Sequence, residues 1–189
     1  MPNRILRTLF LYNGVFVLAN NLLGPLYAIY VGGFNTGILP ISLSWATYLI
    51  SATLFMFLLS KLGDKFKKKR LLVCLGYIIR SACWLFMSYI TTIEQLIVAQ
   101  FILGIGEALG TPSFDAIFAE HLDKGKHIMD YADWKLITNA VLVLGTIVGG
   151  LIVSNFGFPV LFRFMSGLVM ISLIGFLVNP KIDSSNNYF

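Results

Sequence analysis

Residues 61–72, KLGDKFKKKRLL, put six basic side chains and one carboxylate, Asp64, between two long apolar runs. A charged connection of this kind, flanked on both sides by greasy sequence, reads as a loop between membrane helices. The composition agrees. The 189 residues are 57% hydrophobic and 12% charged, with a mean hydropathy of +0.81, whereas soluble domains are about 45–50% apolar and about 25% charged. The net charge of +5 comes without a basic stripe interleaved with aromatics, so no nucleic-acid partner is implied. The bilayer itself is the first partner.

A membrane helix needs about 20 apolar residues. Six runs qualify, at about 6–31, 38–60, 71–90, 94–119, 134–153 and 160–179. Turn residues or charge separate them: GGFNTG, KLGDKFKKKR, TTIEQ, HLDKGKHIMDYAD and SNFGFP. The chain therefore reads as one all-α, six-helix transmembrane domain over 1–180 with a polar tail at 181–189. The start, MPNRILRTLF, is positive like a signal peptide, but the apolar run behind it is too long, so it reads as a retained first span. With the N-terminus cytoplasmic, 12 of the 14 basic residues fall on the inner side. Arg163 sits near the outer face and Arg80 lies within the third span. The positive-inside rule thus places both termini in the cytoplasm. Trp45, Trp84 and Trp134 lie off the span midpoints, weakly matching interfacial belts.

Cys74 and Cys83 share one apolar run. On a helix they stand about 13 Å apart along the axis, too far to pair, and they read as packing residues. His121 and His127 flank a loop of mixed charge, HLDKGKH, which reads as solvated because a metal site wants more ligands at tighter spacing. No metal or cofactor is implied. No nucleophile–base arrangement or phosphate loop is present in the sequence, so an enzyme is not the expectation.

The loop at Ser60–Leu71 resembles that between helices two and three of the major facilitator superfamily, whose pattern is Gly-x-x-x-Asp-Arg/Lys-x-Gly-Arg/Lys-Arg/Lys. Asp64, Lys65, Lys68 and Lys69 match it, while Ser60 and Lys67 replace the glycines. Residues 104–112, GIGEALGTP, are similar to the family's fourth helix, with Gln100 where its arginine is usual. Residues 145–150, GTIVGG, are similar to its glycine-rich fifth helix, with Thr146 in the place of a proline found in many proton-linked exporters. The resemblance implies six-helix halves built as three-plus-three inverted repeats, with substrate held between two halves. It also implies that Asp64 acts in a cytoplasmic gate, bonding to the opposite half when the inner side closes. An anion is well placed to cap a partner helix N-terminus, and the lysines suit anionic headgroups. The other reading of Asp64 is a solvated turn carboxylate neutralised by Lys65 and Lys68. Asp115, near the inner end of the fourth span, is expected to pair with the Lys65–Lys69 cluster.

Ionisable groups inside a span are costly and default to functional hypotheses. Arg80 and Glu107 are the clear cases. Arg80 lies about 14 Å in from the inner end of its helix. Glu107 lies about 20 Å from the outer end of its own, or about 10 Å from the inner side of a core about 30 Å thick. The two are expected to pair, either at a transport site or as a structural brace. Asn13 and Asn20 are seven apart and share a helix face, as do Gln100 and Glu107. Glycine and proline interrupt both helices: Gly14 and Gly24-Pro25 in the first, Gly104, Gly110 and Pro112 in the fourth. Such interruptions in equivalent helices of an inverted repeat point to a cavity wall. Close helix packing is the alternative for the glycines, and interhelical bonding is the alternative for the asparagines.

The expectation is a half-transporter that moves a small polar or amphipathic solute by alternating access, working as a homodimer in a bacterial-type inner (plasma) membrane. The rivals are a non-transporting scaffold or subunit, and one half of a heteromeric or truncated transporter.

Overall fold

The computed structural model describes residues 4–34, 37–62, 68–122 and 125–178. Those residues form α1 (Arg4–Asn21), a 3-10 turn (Gly24–Leu26), α2 (Tyr27–Gly32), α3 (Ile38–Leu62), α4 (Lys69–Met87), α5 (Ile93–Glu120), α6 (His127–Phe156) and α7 (Phe158–Val178). There is no strand among them. Six spans are long and apolar enough to cross a membrane, the first being α1 and α2 together.

Local chemistry explains the joints. The first span is not one helix, as the run 6–31 suggested. It breaks at Gly24, whose φ of +21° only glycine adopts comfortably, and restarts with Pro25 in the first turn of the short 3-10 helix. α5 begins with a capping box, in which Thr92 Oγ1 accepts from Gln95 N and Gln95 Oε1 accepts from Thr92 N. The turn between α6 and α7 is a single residue, Gly157, at φ +79°. Arg70 Nη2 donates to the carbonyls of Phe176 and Leu177, at 2.8 and 2.6 Å, closing the last turn of α7.

α6 corrects the sequence reading most. Residues 127–133 look like loop because they carry charge, yet they are helical. The helix has 30 residues and is about 45 Å long, against about 30 Å of hydrocarbon, so its charged first turns extend beyond the apolar core. α4 also starts earlier than expected, and ends earlier, spanning 69–87 where 71–90 was expected.

α5 packs on α3 and α4, and α1 packs on α6 and α7. The α5 crossings are backbone to backbone. A Cβ on Gly104 would lie 2.6 Å from the Tyr48 carbonyl, and one on Gly76 would lie 2.7 Å from Gly110 Cα. On the other side of the bundle, Gly149 abuts the carbonyl of Leu22 where the first span breaks. These glycines permit close approach, as small residues do at membrane helix interfaces. α4 and α7 are about half buried, whereas α3 and α6 leave most of their surface outside the bundle.

Candidate functional site

The two ionisable groups meet at the α4–α5 crossing. Arg80 Nη2 donates to Glu107 Oε2, and also to Thr111 Oγ1 at 3.1 Å. The guanidinium lies over the Phe16 ring of α1, 4.6 Å from its centroid, a favourable position for a cation over a π face. From α3, Tyr48 donates its hydroxyl to the same Glu107 oxygen at 3.0 Å. Exposure is unequal: the Arg80 side chain is 4% exposed and that of Glu107 is 22%. The carboxylate is therefore the more open half of the pair, and the guanidinium the more deeply buried.

This pair forms one wall of a cavity of about 160 Å³ between the first span, α3, α4 and α5, which Met165 of α7 also touches. Asn20, Asn21, Gln100, Tyr27 and Tyr48 supply its other polar groups; Trp45, Trp84 and Leu103 supply apolar surface. Gln100 begins a directed chain. Its Nε2 donates to the Tyr27 hydroxyl at 2.6 Å. Ser44 donates to the carbonyl of Ile41 at 2.9 Å, so in the 2.7 Å contact between Tyr27 and Ser44 it is Tyr27 that donates. Both hydroxyls of that chain are thus hydrogen-bonded inside the bundle.

The structure thus brings Arg80, Glu107, Gln100 and Asn20 to one cavity. Asn13 does not join them. It is buried one layer away, where its Oδ1 accepts from the Tyr77 hydroxyl at 2.8 Å, and Tyr77 stacks on Phe16 beneath Arg80. Gly106 and Gly110 pack against α4. Trp45 and Trp84 line the cavity, and Trp134 stacks on Phe10, 5.2 Å between centroids. Tyr27, Ser44, Tyr48 and Thr111 were missed from sequence. The signal was there, in hydroxyl groups at mid-span that need partners in hydrocarbon.

The expected gate is only partly visible. Asp64 and Lys65 lie outside the described residues, as does the tail at 181–189. Lys68 is exposed at the start of α4. Asp115 is also exposed, and its charged neighbours are Glu107 and Lys135. Among the described residues Lys69 of the basic cluster pairs with Glu120, five residues beyond Asp115 towards the end of α5. His121 is not solvated either. It is buried at the end of α5, with Nδ1 on the carbonyl of Ile117 at 2.8 Å. Cys74 and Cys83 are free and buried. Among the described residues no group of three or more His, Cys, Asp or Glu could hold a metal.

Six apolar spans, five of which line an ion-paired polar cavity, define a multi-pass membrane protein with a hydrophilic site at membrane depth. The profile of the Major Facilitator Superfamily matches residues 9–188, and the chain belongs to that superfamily. It is 24% identical over 161 residues to an uncharacterized MFS-type transporter, YitZ, of Bacillus subtilis (strain 168), an alignment covering 80% of this chain and 96% of that one. It is 26% identical over 130 residues to a multi-drug resistance efflux pump PmrA homolog of Lactococcus lactis subsp. lactis (strain IL1403), covering 69% of this chain and 32% of the pump. The fold is that of the crystal structure of the POT family transporter PepTSo, with a TM-score of 0.78, 13% identity and coverage of 96% of this chain and 38% of the other. The chain thus spans about a third of the pump and of that structure. Family and relatives together support a role in transport.

Proposed function

We propose that this chain moves a small polar or amphipathic solute across a plasma membrane by alternating access, with Glu107 as the solute-facing group. The observation that carries the reading is the asymmetry of the Arg80–Glu107 pair. A brace would gain from burying both charges, whereas here the carboxylate opens onto a cavity lined by Asn20, Gln100 and aromatic rings. A few placed polar groups on an apolar wall are what small-molecule sites are made of.

A second copy, related by a twofold axis along the membrane normal, completes the cavity in this proposal. Asn20 and the open face of Glu107 would otherwise meet lipid, where unsatisfied polar groups are expensive. The largely uncovered surfaces of α3 and α6 offer the contact area, and an isologous pair is the commonest symmetry. The packing of α1 on α6 and α7, mirrored by that of α5 on α3 and α4, supports the three-plus-three repeat on which rocking motions are built. Uptake by liposomes of purified protein across a solute panel, with and without a proton gradient, tests the function. Saturable flux of at least one solute is expected; its absence across a broad panel favours a scaffold.

A further inference from the structure

α1 and α6 enclose a second hollow, of about 650 Å³, that has no part in the polar cavity. Both walls begin with a charge and end with a leucine eleven residues later: Arg7 to Leu18 on α1, and Asp133 to Leu144 on α6. Every lining residue other than these two charges is apolar or glycine. The two helices start at the same end of the bundle, which also carries Lys68, Lys69 and Lys126. Eleven residues of helix measure about 16 Å. That is half of a hydrocarbon core about 30 Å thick, so the hollow is one leaflet deep with its charges at headgroup level.

We infer that this groove holds one acyl chain of an aminophospholipid, its phosphate on Arg7 and its ammonium on Asp133. Two observations fit that occupant. Among the described residues neither Arg7 nor Asp133 makes an ion pair, so a cation and an anion stand ready at one mouth. A headgroup carrying both signs satisfies both; an anionic headgroup without an amine would set its phosphate beside the Asp133 carboxylate uncompensated. Gly14 lies midway along the α1 wall, and a Cβ built there would meet no neighbouring atom within 4 Å. No helix needs that glycine for close packing, and it leaves width where the chain would lie.

Trp134 makes the proposal measurable, because it stacks on the groove residue Phe10 and is the neighbour of Asp133. The experiment uses the full chain with Trp45→Phe and Trp84→Phe, delipidated in detergent, and titrates phosphatidylethanolamine carrying brominated acyl chains. Saturable quenching of Trp134 is expected. Gly14→Leu should abolish it by filling the hollow while keeping or raising the melting temperature, since leucine is the better helix former. Arg7→Gln and Asp133→Asn should each weaken binding about tenfold, the size of one lost charge-assisted hydrogen bond. Equal quenching by bromo-chain phosphatidylglycerol overturns the assignment, as does full quenching in folded Gly14→Leu. No saturable quenching, with Gly14→Leu instead shifting self-association, overturns it in favour of a second copy in the groove.

Discussion

Arg80 and Glu107 are joined one helical turn from the point where Gly76 and Gly110 bring α4 and α5 into backbone contact. The ion pair and the small-residue crossing are one construction. Only helices this close let a guanidinium on one reach a carboxylate on the other without leaving the bundle.

Gly76→Ala should therefore damage the pair without touching it. Its Cβ would lie 2.7 to 2.8 Å from backbone atoms of Gly106 and Gly110, which cannot turn aside as a side chain can. We expect a loss of about 1–3 kcal/mol, the cost of overpacking a tight site, read as a lower melting temperature in detergent. A melting temperature at or above wild type would show that α4 and α5 separate freely.

Breaking the pair from one side strands a charge. Arg80→Gln and Glu107→Gln should each destabilise by a few kcal/mol. The double Gln variant should be more stable than the sum of the singles predicts. A double-mutant cycle with coupling near zero would contradict the pairing.

The Gln100–Tyr27–Ser44 chain has a direction, and direction has consequences. Gln100→Leu removes a donor and leaves Tyr27 still donating to Ser44, so the loss should be about 1 kcal/mol or less. Tyr27→Phe leaves the buried Gln100 amide without its acceptor, and should cost about 1–3 kcal/mol. Equal melting temperatures for the two variants would mean that the order of donors is otherwise.

Orientation can be read by labelling. Cysteine placed at Lys68 should react from the cytoplasmic side and cysteine placed at Asn155 from the outside, since α4 starts and α6 ends at opposite faces. Reaction of both from one side would remove the six-span arrangement.

The spans were legible because about 20 apolar residues have only one economical fate in lipid. Their ends were not, because helices outrun the hydrocarbon, as α6 does between His127 and Asp133. Arg80 with Glu107 was legible from depth alone, since two opposite charges at similar depth must find each other or be stranded. Depth says nothing of facing, however. Asn13 and Asn20 share a helix face, yet one is sealed under Tyr77 and the other opens on the cavity. Tyr27 and Tyr48 were hidden for another reason: a tyrosine in an apolar run looks like packing until its hydroxyl's partner is known.

The account turns on the cavity being the path of the solute. Asn20 lines it and is exposed, so Asn20→Cys gives a reactive handle there while Cys74 and Cys83 stay buried. Saturable flux of a transported solute into proteoliposomes, measured before and after complete reaction of that cysteine with a bulky, membrane-impermeant maleimide, is the most direct test. Saturable flux is expected before reaction, even if lowered by the loss of the Asn20 amide, and loss of most of that remaining flux after it. Undiminished saturable flux through fully modified protein would contradict it.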